Sequence, residues 1–276
     1  ELQKVDNSLS PFNKTSIISR INRNEKVKVD EMFSEVFQLA EKISGDTDGA
    51  FDITVAPMVN AWGFGFKTGN PPTRQTIDSL RAIVGFHTVS LQDGYVIKKN
   101  PKTMLDCSAI AKGYGTDVVA RFLKKKGVQN FMVEIGGEIV VNGNSEKLQP
   151  WRIGINKPTD DSLNTNQAIQ DVVSVSNIAM ATSGNYRNFY YKGGRKYAHT
   201  IDPKTGRPVQ HSLLSATVLA PTCAEADAYA TSFMVMGLDK ARQVLERKKQ
   251  LKAYFIYQNA QGGLSVWKSE GLDERK

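Results

Sequence analysis

The stretch "APTCAEADAYATSFMVMG" (residues 220–237) predicts one buried helix, yet it carries two polar side chains that a buried helix does not need. Thr222 and Glu225 form a T-x-x-E capping box directly after a proline, which places the start of the helix near residue 223. The apolar run at 233–236 then indicates burial. Asp227 and Thr231 are four residues apart, so both lie on one face of this helix.

Asp227 lies in the second turn, beyond the positions at which a carboxylate only caps the helix. An unpaired buried carboxylate is costly and demands a partner. One such partner is a hard divalent cation, since Mg²⁺ prefers carboxylate and hydroxyl oxygens. The alternative is a carboxylate that accepts a backbone hydrogen bond or pairs with a lysine or arginine. The spacing alone leaves both interpretations open.

Around this stretch, helices and strands are mixed without regular β–α–β alternation, which predicts an α+β fold with largely antiparallel strands. Apolar residues at helical spacing predict further helices over 31–43, 75–84, 109–126 and 239–250. Alternating runs predict hairpins that turn at 93–94 and 193–194, and strands in "FMVEI", "EIVV", "WRIGI", "DVVSVS", "SLLSATVLA", "KAYFIY" and "LSVW". We expect a single domain over 1–276, with a weak boundary near 143–150.

Composition excludes several classes of protein. The net charge of +8 is spread along the chain, and its densest runs, at 124–126 and 247–252, fall at predicted helix ends without interleaved aromatic residues. We therefore expect no nucleic-acid partner. No apolar run approaches the roughly 18 residues of a membrane span. Two cysteines exclude a disulfide scaffold and a cysteine-rich zinc site, and the sequence lacks phosphate-loop, serine-hydrolase and zinc-protease motifs.

Two further segments carry candidate polar groups. In "MLDCSAIAKGYGTD" (104–117), Asp106 ends a predicted strand and Lys112 lies in a helix rich in small residues, so both could contact a bound molecule. Alternatively, Asp106 caps the helix and Lys112 is a surface lysine. In "KYAHTIDPKTGRP" (196–208), His199 ends a strand beside a turn, which suits proton transfer but also a structural histidine.

These segments, with others in the same order, resemble the ApbE family, the FAD:protein FMN transferases. The resemblance covers nearly the whole chain and is carried by "SPFNKTSIISRIN", "DGAFDITVAPMVNAWGF", "DCSAIAKGYGTD", "VEIGGEI", "ATSGNYRNFY", "AHTIDPKTGRP" and "EADAYATSFMVMG". It implies an ApbE-like, T-fold-like architecture, FAD as the substrate and Mg²⁺ as the cofactor. Members of the family cleave FAD and pass FMN through a phosphoester to a Thr or Ser hydroxyl of a target flavoprotein, with release of AMP.

The resemblance also implies roles for single residues. The metal ligands would be the side chains of Asp227 and Thr231 and the backbone carbonyl of Ala109. His199 matches the histidine that assists deprotonation of the acceptor hydroxyl. Asp227 is the rival base, although a bound cation lowers the pKa of a carboxylate. The implied FAD-binding residues are Phe12, Ala61, Trp62, Gly63, Asp106, Lys112 and His199.

Phe12 stands where many relatives have a tyrosine that stacks on the flavin. Ring stacking survives this change, but the phenolic hydroxyl does not. The family also has an earlier strand with a Met-Gly-Thr segment near the flavin, and we expect this strand, with some flavin contacts, ahead of Glu1.

The resemblance further implies partners and a location. The acceptor would be a flavoprotein with an FMN-binding domain, such as a subunit of a respiratory NADH:quinone oxidoreductase or of an Rnf-type complex. Relatives are exported, so we expect the periplasmic side of the inner membrane and a lipid anchor outside this chain. Two other hypotheses stay open: an FAD pyrophosphatase that uses water as the acceptor and gives FMN and AMP, and a non-catalytic FAD-binding protein.

The positions of the two cysteines suggest a further hypothesis. If Ala109 and Asp227 share one metal ion, Cys107 and Cys223 lie two and four residues before neighbouring ligands. They could then approach closely enough to form a disulfide or to sense oxidation. The alternative is two separately buried apolar side chains.

Overall fold

The structure of the chain is a computed structural model that describes residues 1–64, 71–158, 168–185, 189–192 and 195–272. Its α-helices are α1 (Leu2–Leu9), α2 (Ile17–Asn22), α3 (Glu31–Asp46), α4 (Ala56–Ala61), α5 (Arg74–Arg81), α6 (Ala111–Lys125), α7 (Cys223–Met236) and α8 (Leu238–Arg247). Its strands are β1 (Val89–Gln92), β2 (Tyr95–Lys98), β3 (Phe131–Ile135), β4 (Glu138–Asn142), β5 (Trp151–Asn156), β6 (Ile169–Val175), β7 (Ile178–Gly184), β8 (Phe189–Lys192), β9 (Arg195–Ala198), β10 (Ile201–Asp202), β11 (Arg207–Pro208), β12 (Leu213–Ala220), β13 (Lys252–Gln258) and β14 (Leu264–Lys268). None of the helices in these ranges is long and apolar enough to cross a bilayer.

The chain forms two compact units, each built from two stretches of sequence. The first unit contains Glu1–Ala111 and His199–Val209, and the second contains Lys112–Ala198 and Gln210–Lys276. Neither unit ends at 143–150, where the sequence suggested a weak boundary. The expectation of a single domain over 1–276 stays a prediction.

The first unit contains α1–α5, the β1–β2 hairpin and the short β10–β11 pair. Helix α3 begins as predicted, because the Asp30 carboxylate accepts the N–H of Phe33 at 2.8 Å and so caps the helix. The hairpin also turns where predicted. Asp93 and Gly94 both have positive φ, of 50° and 80°, which is the conformation that a two-residue type I′ turn requires.

The second unit is organised around one antiparallel sheet of the order β14-β13-β12-β7-β4-β3. Helix α7 packs on the two central strands, β7 and β12. Helix α6 shares a buried cluster with β3 and β4 on the Val140 side of the sheet. The β5–β6 hairpin shares the cluster on the opposite side, with Ile139, Met180 and Leu219. The sheet is therefore covered by helices on one face and by a hairpin on the other, and the predicted α+β class with antiparallel strands is confirmed.

Strand β7 is the main element that the sequence reading missed. Its sequence, "IAMATSG", contains few β-branched or aromatic residues, so it gives a weak strand signal. It becomes a strand because β4 and β12 pair with it on both sides, and Ala179, Met180 and Ala181 are buried there. The predicted helix over 239–250 ends at Arg247 instead, and the predicted turn at 193–194 lies outside the described residues.

Candidate active site

The site is built where α6 crosses the start of α7. A Cβ added at Gly113 would lie 2.3 Å from the carbonyl oxygen of Cys223, so only glycine allows this approach. The carboxylate of Asp117, one turn later on α6, accepts the N–H groups of Cys223 at 2.8 Å and Ala224 at 2.9 Å. Thr222 caps the same helix end, as predicted. These contacts fix the first turn of α7 against α6.

The crossing brings Asp227 to the beginning of α6. Asp227 is 5% exposed, and its Oδ2 accepts the N–H of Gly113 at 3.1 Å. Its Oδ1 lies 3.8 Å from the Nζ of Lys112. Burial raises the pKa of Asp227, although Lys112 and the Gly113 N–H lower it. Both partners that the sequence offered as alternatives to a cation, a backbone N–H and a lysine, are therefore present.

Lys112 contacts a second carboxylate as well as Asp227. Its ammonium donates a short hydrogen bond to Oε1 of Glu138, the first residue of β4. The side chain of Lys112 is 51% exposed, whereas that of Glu138 is 4% exposed. Burial lowers the pKa of Lys112, but the negative charges of Asp227 and Glu138 outweigh it, so the net shift is upward. Lys112 is therefore a charged group that two buried carboxylates share, and not an ordinary surface lysine.

Glu138 is the site residue that sequence reasoning missed. It directly follows the Gly136–Gly137 turn, where a glutamate looks like a solvated hairpin residue. Burial raises its pKa, and the charge of Asp227 raises it further. The signal that could have found it is the alternation of β4, which places position 138 on the same face as the buried Val140.

Thr231 lies one turn beyond Asp227 on α7 and is half-buried. Its Oγ1 lies 3.4 Å from the Oγ of Ser183 on β7. Across the described ranges, no group of three or more His, Cys, Asp or Glu side chains is arranged to hold a metal ion. A cation at Asp227 would therefore also need hydroxyl or carbonyl oxygens as ligands.

Asp106, Ala109 and His199 belong to the first unit. Asp106 is not at a strand end, because its N–H donates to Ile53 O at 2.7 Å, in a loop rather than in a strand. Its carboxylate accepts the N–H of Ser108 at 2.8 Å, so it caps the turn before α6 rather than α6 itself. Ala109 lies in that turn. His199 is half-buried and directly follows β9, the strand end at which the sequence placed it.

The remaining predicted flavin-binding residues also lie in the first unit, in two environments. Phe12 is 75% exposed. Trp62, at the end of α4, is 5% exposed and donates its indole N–H to Gly206 O at 2.7 Å. Ala61 is half-buried, and Gly63 has a φ of 81°. Trp62 therefore has a structural contact that sequence reasoning did not anticipate.

Both cysteines are free and buried in this structure, so no disulfide is present, and their close approach stays a prediction. The Sγ of Cys223 donates to Met180 O at 3.7 Å. Burial raises the pKa of both thiols, and neighbouring carboxylates raise it further. Since the thiolate is the reactive form, this upward shift of the pKa disfavours reaction of either thiol.

The chain is similar in both sequence and fold to flavin transferases. It is 40% identical over 250 residues to the FAD:protein FMN transferase of Vibrio cholerae serotype O1, covering 89% of this chain and 74% of that protein. It is also 40% identical over 271 residues to the FAD:protein FMN transferase of Haemophilus influenzae, covering 95% of this chain and 77% of that protein.

A solved structure of a flavin transferase is also similar to this chain in fold. The flavin transferase ApbE from Vibrio cholerae superposes with a TM-score of 0.87 at 36% identity, covering 98% of this chain and 86% of that one. The predicted ApbE-like architecture is therefore confirmed. Residues 1–255 match the sequence profile of the ApbE family. This chain belongs to the ApbE family.

Proposed function

We propose that this chain is an FAD:protein FMN transferase that attaches FMN to a Thr or Ser hydroxyl of a flavoprotein and releases AMP. The names of its relatives support the reaction class. The observation that carries the proposal for this chain is the buried Asp227, held beside Lys112 at the α6–α7 crossing. A buried carboxylate with a perturbed pKa and a specific charged partner is a candidate functional group.

In the proposed reaction, the acceptor oxygen forms a bond to the flavin-side phosphorus of FAD. The bond from that phosphorus to the bridging oxygen breaks, and AMP leaves with the bridging oxygen. The acceptor hydroxyl loses its proton, for which His199 is the proposed base, as a half-buried imidazole beside a strand end. Lys112 is proposed to contact a phosphate of FAD, since its half-exposed ammonium can reach an anion.

The proposal includes Mg²⁺, and the donor atoms present fit such an ion. Asp227 offers a buried carboxylate and Thr231 a hydroxyl on the same helix face, both hard oxygen ligands. The two buried carboxylates of the site share a single lysine, so negative charge remains to be neutralised. When bound, Mg²⁺ neutralises charge on phosphate oxygens as a P–O bond breaks. The carbonyl of Ala109 remains a predicted third ligand.

For the flavin itself we propose Phe12, Asp106 and the Ala61–Gly63 segment as contacts. The exposed ring of Phe12 supports stacking on a planar partner. The proposed acceptor is an FMN-binding domain of an exported respiratory flavoprotein, and we propose the periplasmic side of the inner membrane as the location.

The first test is mass spectrometry of such an acceptor after incubation with this protein, FAD and Mg²⁺, with AMP followed in parallel. A mass gain equal to one FMN on a Thr or Ser, matched by AMP, is the expected result. AMP without the mass gain would establish the pyrophosphatase hypothesis instead. Intact FAD bound in stoichiometric amount, with neither product, would leave only a flavin-binding protein.

The variant Asp227→Ala tests the role of Asp227 in the same assay. We expect it to abolish AMP release, because it removes the proposed metal ligand, and to leave the fold intact, because Lys112 keeps Glu138 as a partner. Circular dichroism supplies the folding control. AMP release at the wild-type rate from this variant would refute the role of Asp227.

A further inference from the structure

The β3–β4 turn aims a second carboxylate at the α6–α7 crossing. Gly136 and Gly137 have φ of 66° and 98°, so the two strands are joined by a tight turn and Glu138 pairs directly with Ile135. Side chains alternate along a strand, and Glu138 lies on the same face as Val140, which packs with α6. The register of this hairpin therefore directs Glu138 toward the helices and not toward solvent.

One oxygen of this carboxylate is uncommitted. Oε1 accepts a hydrogen bond from Lys112, but among the residues that the structure describes Oε2 is buried and has no hydrogen-bond partner. Buried polar atoms are normally satisfied, because an unmade hydrogen bond keeps the full desolvation cost. A Cβ added at Gly136 would lie 3.3 Å from Oε2, so the glycine also leaves room beside this atom. A buried oxygen of this kind can accept one further polar or charged partner.

The charges around Glu138 indicate which kind of partner suits this oxygen. Asp227 and Glu138 are both buried, and both lie within ion-pair distance of the one Lys112 ammonium. With all three groups ionised, the two buried carboxylates carry one more charge than the Lys112 ammonium balances. Burying such a charge is unfavourable unless a cation compensates for it. A divalent cation beside both carboxylates would neutralise the remaining charge and supply a partner for Oε2.

We propose that Glu138 is a second carboxylate of the cation site at Asp227 and that its Oε2 faces the cation, directly or through one water molecule. This inference rests on the proposed function, which places a divalent cation at Asp227. It adds a residue from the sheet of the second unit to the ligands proposed on helix α7.

The test measures binding of Mn²⁺ alone, without flavin, from the electron paramagnetic resonance signal of the free ion. Glu138→Gln keeps the shape of the side chain and removes its charge, and we expect it to weaken Mn²⁺ binding by about tenfold or more. Glu134→Gln, an exposed position on the adjacent strand β3, is the matched control and should leave binding unchanged. Thermal unfolding without metal checks that both variants fold.

Measuring Glu138→Gln also in the Lys112→Met variant distinguishes direct action of Glu138 on the cation from action through Lys112. Lys112→Met removes the ammonium that competes with a cation for Asp227, so it should tighten Mn²⁺ binding. If Oε2 faces the cation, Glu138→Gln still weakens binding in the Lys112→Met background, although the size of the effect differs because the two residues are in contact. A weakening seen only when Lys112 is present would mean that Glu138 acts by holding the lysine, and the proposal would be wrong. An unchanged affinity in both backgrounds would equally overturn it.

Asp227→Asn distinguishes failure of this inference from failure of the proposed function. Loss of Mn²⁺ binding in Asp227→Asn, with unchanged binding in Glu138→Gln, rejects only the role of Glu138. Wild-type binding in Asp227→Asn rejects the cation site at Asp227 and with it the role of Glu138, while the FMN mass gain on the acceptor still decides the proposed transfer.

Discussion

Gly113 has only a hydrogen atom in place of a side chain, and this allows helices α6 and α7 to meet. Gly113→Ala would place a Cβ 2.3 Å from Cys223 O, and backbone cannot move aside as a flexible side chain can. We expect a loss of about 2 kcal/mol or more in the free energy of unfolding, together with loss of activity, because Asp227 is displaced. Chemical denaturation followed by circular dichroism measures the first effect.

Gly45→Ala is the matched control for that substitution. Gly45 lies in α3, and a Cβ there would meet nothing within 4 Å. The same chemical change should therefore stabilise the protein by about 0.5–1 kcal/mol, since alanine has the higher helix propensity. Equal effects of the two substitutions would contradict the close approach at Gly113.

His199 gives a second test at this scale. As the proposed base, it should matter more for transfer than for FAD binding, so His199→Ala should lower the transfer rate while the dissociation constant of FAD changes little. Rapid-quench kinetics and fluorescence titration measure the two quantities. Parallel losses in both would assign His199 to positioning of the flavin.

Single residues also show what a sequence can and cannot predict about the site. The i, i+4 spacing in a capped apolar helix was enough to place Asp227 and Thr231 on one helix face. The partners of Asp227 were not predictable, because Lys112 and Gly113 are more than a hundred positions away in the chain. Glu138 escaped notice for the same reason: its burial depends on the register of a hairpin against helices that come earlier and later in the sequence.

Helix α7 depends on a carboxylate that belongs to another helix. Asp117 of α6 accepts two N–H groups in the first turn of α7, and an asparagine can accept only one of them. Asp117→Asn should therefore lower the free energy of unfolding by about 1–3 kcal/mol. Asp239→Asn, an exposed acidic residue in the first turn of α8, should change it by less than about 0.5 kcal/mol.

The effect of Asp117→Asn should also depend on pH. Burial raises the pKa of Asp117, although the two N–H groups lower it. The folded protein then binds this proton more tightly than the unfolded chain, so the stabilisation by Asp117 falls as the pH rises from the ordinary carboxyl pKa through the raised value. The destabilisation caused by Asp117→Asn should be larger near about pH 4 than near about pH 7.5. A difference that grows with pH would show that the two N–H groups, and not burial, dominate.

Elements with strong local signals were predicted well. Helix α7 and its cap were predicted from the capping box, and the hairpin at 93–94 from its turn residues. Strand β7 was not, since a segment of small residues becomes a strand only when its neighbours pair with it. Strand β7, one of the two central strands of the sheet, was thus the hardest strand to predict from the sequence.

At the scale of the whole molecule, that central position should govern local stability in the second unit. Among the described residues, strands β7 and β12 are paired on both sides, whereas β5 and β6 pair only with each other. We expect amide hydrogen exchange to be slowest in β7 and β12 and clearly faster in β5 and β6. Exchange mass spectrometry resolves these segments. Equal protection of the β5–β6 hairpin would mean that it opens only with the whole unit.

The bond from Trp62 to Gly206 gives the first unit an optical label of its own. The chain has three tryptophans, and the other two, Trp151 and Trp267, lie on β5 and β14 of the second unit. Because Trp62 is buried, with its indole N–H on a backbone carbonyl, its emission should be blue-shifted while the first unit is folded and move to the red when that unit opens. Replacing the other two with phenylalanine would leave a protein whose fluorescence follows one half of the fold.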